Sequence, residues 1–508
     1  MTFPILTLIM LSPFVGAGVI LLIPKDRHEA IKVVAAAFSA VSLVLSFFVF
    51  AGFDTARGGF QFVESAPWIP ELGISYKVGV DGFSAPQLLL TGIVTFAAVL
   101  VSWGKNDRPR EFFAFLLILV GGVFGAFMSL DLFLFLIFYE MVLFPVYVLV
   151  ASWGSGRKEY AAMKLTIYLF LGSLVAIIGV LAVYFYAGNS FDFEVIQKFM
   201  AAKQGGFEFQ RLWFLPVFIG FGVLASIWPL HNWSPGGYAS APTAVSMLHG
   251  GVLKATGAYA ALRFGIQLMP EGAKYWLPIV VFLCLANVIY AGTVAFRQKD
   301  LKYIIGFASV AHLGLVLLGL SAMNVYGLNG AGYELFAGGV MTGLMFALVG
   351  MIYERTHVRD VDKLDGLARV MPFAAVAFVI GSLTAMGMPG LPGFVAEMQI
   401  FMGLWLASQQ VYPYLPNTVA WWYGAVAVAG VLTVVITAAW TLITGAKIFF
   451  SEPKTPDWQK LPGLNALEKV AIAFMCAVLI IAGVFPNSVM SVVSVGVQAI
   501  LKTLGVAA

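Results

Sequence analysis

Runs of about 20 apolar residues recur along the whole chain, each long enough to cross the hydrocarbon core of a bilayer as a helix. Lipid offers no water to satisfy backbone polar groups, so spanning segments are confined to helices or closed barrels, and runs of this length select helices. Of the 508 residues only 11% are charged, where a soluble domain carries about 25%. The chain therefore reads as an all-α integral membrane protein. About 14 transmembrane helices are expected, over residues 4–23, 31–52, 84–103, 113–130, 132–151, 165–187, 212–230, 241–264, 275–296, 301–320, 332–352, 372–404, 421–449 and 467–487.

The charges between the runs set an orientation. Loops after odd-numbered spans hold most of the Lys and Arg, among them Lys25, Arg27, Lys105, Arg108, Arg157, Lys158, Arg297, Lys299, Arg355, Arg359, Lys447 and Lys454. The positive-inside rule then places these loops in the cytoplasm and both termini outside. The net charge of +4 thus belongs to topology and does not point to nucleic acid. Met1 to Pro24 lacks a basic leading region, so a retained first helix is expected rather than a cleaved signal peptide. Cys284 and Cys476 each stand alone in an apolar run, which leaves neither a disulfide framework nor a cysteine pair for a metal.

Two spans are interrupted. One break runs from Trp228-Pro229 to Pro235-Gly236-Gly237, the other through Met388-Pro389-Gly390-Leu391-Pro392-Gly393. Irregular backbone at membrane depth is tolerated where it lines a cavity or is buried in protein. Broken helices at corresponding places in two halves point to inverted repeats around a translocation site. The outer segments 53–83 and 188–211 look like caps and carry no usable motif. The inner loop 353–371 mixes both signs of charge, the mark of a contact surface.

Four ionisable residues fall inside spans: Glu140, Lys254, His312 and Glu397. A charge at a span's centre costs at least about 2.5–3.5 kcal/mol on insertion scales, so each marks a site with a partner or with water. A series of such groups is how a proton would be passed along. Gly250, Gly251 and Gly257 flank Lys254 and leave room for water or a close helix. His312 either relays protons near neutral pH or is a satisfied core residue. His249 stands five residues before Lys254, about 140° away in a regular α-helix, so the two are not expected to share a face. It reads as a core residue, an accessory candidate alongside Lys164 and His231; Lys164 is placed to snorkel. There is no GxGxxG after a strand, no P-loop, no cysteine cluster and no haem signature. No metal, cofactor or redox centre is expected on this chain. Proton movement without redox chemistry of its own requires partner subunits as the energy source.

The segments FYEMVLFPVYVLVASWG, AAMKLTIYLFLGS, WPLHNW, SAPTAVSMLHGGVLKATGAYAALRF, QKDLKYIIGFASVAHLGLVLLG, IYERTHVRD and GMPGLPGFVAE together resemble the antiporter-like membrane subunits of respiratory complex I, closest to the subunit M group of bacterial NADH–quinone oxidoreductase. The resemblance runs from about residue 80 to 450 and implies two inverted five-helix repeats, each with a broken helix. The implied division is 1–111 for helices 1–3, 112–264 for the first repeat, 265–450 for the second, and 451–508 for helix 14 and a tail. It further implies proton translocation through Glu140, Lys254, His312 and Glu397. NADH, flavin, iron–sulfur and quinone chemistry would lie in partner subunits, with lipid and neighbouring membrane-arm subunits around this chain. Three departures stand out. Leu224 occupies the place of a usual seventh-helix Lys, Gly236 to Tyr238 replace a polar stretch, and Gly338 replaces a common His. The resemblance also leaves open an Mrp-type cation/proton antiporter, a proton-pumping hydrogenase arm, or a non-pumping spacer, since fold does not fix function.

Overall fold

The computed structural model describes residues 4–202, 206–410, 414, 420–453, 458 and 460–505; Lys454 lies outside them. The helices follow the apolar runs. They are α1 (Ile5–Leu22), α2 (His28–Ala51), α3 (Ala85–Val101), α4 (Pro109–Met128), α5 (Leu132–Trp153) and α6 (Lys158–Tyr186). A short α7 (Phe193–Ala202) precedes α8 (Phe207–Leu224) and α9 (Ser234–Ser240). The next run is continuous from Thr243 to Ile266: α10 (Thr243–Leu248), a π-turn at His249–Leu253, α11 (Lys254–Ala260) and a second π-turn at Ala261–Ile266. Then come α12 (Pro270–Arg297), α13 (Leu301–Ser321), α14 (Val325–Thr356), α15 (Pro372–Ala385), α16 (Pro392–Ala407), α17 (Trp422–Gly445), α18 (Ala466–Val484) and α19 (Asn487–Leu504). Among the described residues, 13 helices are long and apolar enough to cross a membrane.

The expected spans map onto this order. The run at 241–264 is the π-interrupted α10–α11 segment, and 372–404 is split into α15 and α16. Three elements were not foreseen. The outer segment 53–83 contains an antiparallel hairpin of β1 (Gln61–Ile69) and β2 (Ile74–Val80). The segment 188–211 contains α7. The tail after the last expected span forms α19, whose Val492, Val493 and Gly496 meet Gly82, Phe83 and Gly332 at the N-terminal ends of α3 and α14. It caps that face, opposite the basic loops.

Burial divides the bundle. The most apolar stretch of α14 is wholly buried, while that of α2 is only 28% buried. The helices α3, α13 and α14 form the interior, and α1, α2, α6 and α17 form the rim that faces lipid or a neighbour. Helix ends need donors and acceptors of their own, because the first four N–H groups of a helix have no partner within it. Asp131 starts α5 by accepting from Phe133 N at 2.9 Å, and it ties down the hairpin through Ser75 N at 2.9 Å. Asp300 starts α13 and Asn324 starts α14 in the same way. Asn465 and Glu468 form a reciprocal capping box on α18. On the hairpin face, Lys77 bonds Asp192 at 2.7 Å and Glu194 at 2.6 Å. Burial alone would lower its pKa, yet these two carboxylates hold it above the usual lysine value.

The loop 353–371 ties this chain's own helices together on the basic face. Arg355 forms a two-pronged pair with Glu468, at 2.6 and 3.1 Å, and bonds the carbonyls of Pro462 and Gly463. Arg359 joins Asp300 at 3.3 Å and Ala239 O at 2.8 Å. Asp362 sits between Lys299 and Lys447, and the Lys447 and Lys299 ammoniums hold its carboxyl down at about 2. The Arg355–Glu468 pair is enclosed, so Arg355→Met strands a buried carboxylate and is expected to cost about 3–5 kcal/mol. Lys447→Met, at an exposed pair, is expected to change stability by less than about 1 kcal/mol. Thermal unfolding midpoints of the two variants in detergent check this difference; equal midpoints would show the pair to be dispensable.

Candidate functional site

Lys254 sits near the middle of the Thr243–Ile266 run, immediately after the first π-turn. A π-turn closes its hydrogen bonds from i to i+5, and the amide of Lys254 bonds His249 O in this way. The 140° separation of a regular helix therefore does not apply. The two side chains nonetheless meet different neighbours: His249 meets the rings of Trp233 and Tyr238, and Lys254 meets Ser309 on α13. The ammonium of Lys254 registers on His249 electrostatically. Close approach of neighbouring backbones makes the site possible. A side chain at Gly251 would stand 2.7 Å from Gly339 O, and one at Gly257 would stand 2.5 Å from Ala225 N. Glycine at these two positions lets the run press against α14 on one side and the end of α8 on the other.

The ammonium of Lys254 is buried and donates to Ser309 O on α13 at 2.8 Å and to Ser309 Oγ. One turn further along α13, His312 Nδ1 lies 3.1 Å from Glu334 Oε1 on α14. Glu334 is only 3% exposed. It lies within electrostatic reach of both Lys254 and Glu397. Glu397 is buried on α16, its carboxylate resting against Gly387 in the second break. Lys254, His312 and Glu334 share a cavity of about 10 Å³ with Gly251, Gly338 and Gly339, room for about one water. The structure thus brings Lys254 and His312 together at Glu334, with Glu397 within electrostatic reach; Glu334 is a residue the sequence reading passed over. Its signal was present: a carboxylate in GYELF near the start of an apolar run. The expected span 332–352 puts Glu334 only two residues inside its start, whereas α14 begins at Val325 and Glu334 lies well inside.

Glu140 stands apart. It is half-buried on α5, with one carboxylate oxygen enclosed and unpartnered. Its neighbours Met141 and Phe144 are exposed on the flank of the chain. Ser173 on α6 is its polar neighbour, and among the described residues no cation lies within ion-pair distance of it. The end of α8 is wedged between α6 and α11: Gly172 meets Val223, and Gly257 meets Leu224 and Ala225. Leu224 is fully enclosed there, so an apolar segment separates Glu140 from the Lys254 cluster.

The accessory histidines flank the first break. His249 is fully buried against Trp233 and Tyr238, ring centroids 5.3 and 5.0 Å away, with neither ring nitrogen bonded. His231 packs edge-on to Tyr290 and feels the charge of Lys164, which is half-buried two turns into α6. The break follows α8 directly. Ser226 has a positive φ of 57°, Trp228–Pro229 is cis, and Pro235 lies in the first turn of α9. Trp233 Nε1 bonds Val223 O at 3.0 Å and so satisfies a carbonyl freed by the break. In the second break Gly387 and Gly390 take positive φ, Pro392 opens α16, and Met388 and Pro389 are exposed.

A larger hollow of about 390 Å³ opens on the basic face, enough for about a dozen waters. Lys105, Thr243, Lys302 and Glu354 are among its lining residues. Lys302 is buried and donates to Ala241 O at 2.8 Å, beside the start of the Lys254 run. Burial pushes the Lys105 ammonium below its usual pKa, partly offset by Asp107.

A polytopic helical bundle with two broken helices and ionisable side chains enclosed at mid-helix defines the class of protein. Residues 129–420 match the family described as NADH:quinone oxidoreductase/Mrp antiporter, transmembrane, and the chain belongs to that family. It is 36% identical over 403 residues to NAD(P)H-quinone oxidoreductase chain 4 2 of Thermosynechococcus vestitus, covering 79% of this chain and 75% of that one. The corresponding chain 4 of Acaryochloris marina is 32% identical over 491 residues, covering 96% and 90%. Among solved structures, respiratory complex I from Thermus thermophilus with bound NADH contains a chain that superposes with a TM-score of 0.87 at 27% identity, covering 98% of this chain and 100% of that one. The Mrp complex from Dietzia sp. contains one with a TM-score of 0.85 at 21% identity, covering 99% and 100%, a likeness of fold.

The glycine at 338 tests the packing of the cluster. A methyl group there would meet Glu334 Oε1 at 2.6 Å, whereas one at Gly18 would meet nothing within 4 Å. Gly338→Ala is expected to cost about 1–3 kcal/mol through overpacking, and Gly18→Ala to leave stability unchanged or slightly raised. Unfolding midpoints of the purified variants decide it.

Proposed function

We propose that this chain is a proton-translocating membrane-arm subunit of an NADH–quinone oxidoreductase complex. The observation that carries the reading is the enclosed cluster of Lys254, His312 and Glu334 around a water-sized cavity, with Glu397 buried within electrostatic reach of Glu334. An ammonium, an imidazole and two carboxylates in one low-dielectric site are costly for stability alone. Their protonation states are coupled, because a charge on one alters the proton affinity of the next. The curated relatives named as chain 4 of NAD(P)H-quinone oxidoreductases favour the complex I setting over the Mrp one. In this reading the chain contributes to an oxidoreductase while NADH, flavin, iron–sulfur and quinone chemistry resides in partner subunits.

Residues 112–264 and 265–450 are read as two inverted repeats, each holding one broken helix. The basic loops would face the cytoplasm and both termini the other side, which puts the Lys105–Lys302–Glu354 hollow at the cytoplasmic surface as a source of water and protons. The working path then crosses from Lys254 at the end of the first repeat to His312 and Glu397 in the second. The link from Glu140 is interrupted at Leu224, so Glu140 acts on the path through long-range charge alone. The spacer alternative would require the Lys254 cluster to be inert as well.

Proton uptake and quinone reduction by the assembled complex in liposomes test this. Lys254→Ala and Glu397→Gln are expected to lower coupled turnover by about tenfold or more, the scale of a lost acid–base group. Glu140→Gln is expected to have a smaller effect, and Leu224→Lys to make the chain sensitive to Glu140→Gln. An unchanged proton-to-electron ratio in an assembled Lys254→Ala complex would sink the reading.

A further inference from the structure

We propose that Glu334 is itself a proton carrier, standing between Lys254 and Glu397 with its hydrogen-bonding state set by His312. The proposal rests on the translocation reading above and adds a residue to it. Four observations converge. Glu334 is enclosed within α14, the most buried helix of the bundle, where a carboxylate without a function is a heavy cost. One oxygen faces His312 Nδ1 at 3.1 Å, which leaves the remaining acceptor capacity of the carboxylate for a second donor. Lys254, His312 and Glu334 line the same one-water cavity. Lastly, Gly338 leaves the space that the carboxylate fills, since a methyl group there would stand 2.6 Å from Oε1.

His312 on α13 bonds Glu334 and Lys254 on α11 shares its cavity, while Glu397 on α16 lies within electrostatic reach. Tyr333, its neighbour on α14, is turned away and bonds Ala482 O at 2.5 Å. A balanced sequence follows. The Lys254 ammonium gives a proton through the cavity water to the Glu334 carboxylate, leaving a neutral amine and a neutral acid. The acid then passes its proton to the Glu397 carboxylate, and Lys254 is reprotonated from the basic face. One proton moves and no other bond changes. His312 follows the step. Its Nδ1 donates to Glu334 when that residue is a carboxylate and accepts from it when it is an acid, so the imidazole changes tautomer or charge with each passage.

The test uses the assembled complex in proteoliposomes, with proton uptake and quinone reduction read together. Glu334→Gln keeps shape and hydrogen bonding but binds no exchangeable acidic proton, whereas Glu334→Asp is shorter but titrates. Proton uptake is expected to fall by about tenfold or more in Glu334→Gln and to be partly retained in Glu334→Asp. Infrared difference spectra during turnover are expected to lose a protonated-carboxyl band in Glu334→Gln. Wild-type pumping by Glu334→Gln alongside a dead Lys254→Met overturns the proposal and leaves the translocation reading standing. Equal loss in Gln and Asp variants, with the carboxyl band unchanged, makes Glu334 structural and also overturns it. Wild-type pumping by Lys254→Met would instead remove the reading on which the proposal rests.

Discussion

An ammonium at the centre of a membrane-spanning bundle must be solvated by the protein, and much of this structure answers that requirement. Lys254 obtains its solvation from Ser309, whose carbonyl and hydroxyl both accept from it, and from the nearby charge of Glu334. Neither partner would reach it if the helices stood at ordinary separations. The Gly251–Gly339 and Gly257–Ala225 approaches bring α14 and α8 against the lysine's own helix. The π-turns at His249–Leu253 and Ala261–Ile266 rotate successive stretches of that helix relative to one another. Within that run His249 meets the broken helix through Trp233 and Tyr238, while Lys254 meets Ser309 on α13.

The two halves solve the same problem unequally. At the junction of the two, carboxylate, imidazole and ammonium come from α14, α13 and α11 and meet around one water-sized space. Within the first, Glu140 on α5 has Ser173 as its polar neighbour and, among the described residues, no cation within ion-pair distance. The breaks differ as well. The first is enclosed, and its freed backbone is satisfied internally by Trp233. The second exposes Met388 and Pro389 on the flank, with Glu397 on its inner side.

Much of this was legible in the sequence because the bilayer imposes one simple rule on spanning segments. The apolar runs located the spans, the Pro/Gly clusters at 228–237 and 388–393 located both breaks, and two of the four interior ionisable residues, Lys254 and His312, line one cavity. What escaped has physical causes. The hairpin of β1 and β2 and the helix α7 lie outside the bilayer, where local composition is mixed and tertiary contacts such as Lys77–Asp192 select the structure. The cap helix α19 was read as a tail because its apolar pattern is one-sided and its burial depends on Gly82 and Gly332 far away in the chain. The π-turns leave no signal in residue type beyond Gly250-Gly251, so angular reckoning from a regular helix does not apply at His249. Glu334 was missed because α14 begins seven residues earlier than the apolar run suggested.

The mixed-charge loop 353–371 shows how one stretch divides its labour. Arg355 and Arg359 are spent on Glu468, Asp300 and backbone carbonyls, and so lock the ends of α18, α13 and α9 to the end of α14. Glu354, between them in sequence, faces the hollow on the basic face with Lys105 and Lys302. A rigid frame of ion pairs thus surrounds the one carboxylate of that motif that water can reach. The same division runs through the bundle, since the interior helices are held by backbone-to-backbone contact and only side-chain groups and a water need rearrange. In the proposed path along Lys254, Glu334 and Glu397, coupling to distant chemistry would then act by changing the charge or hydration of these few groups.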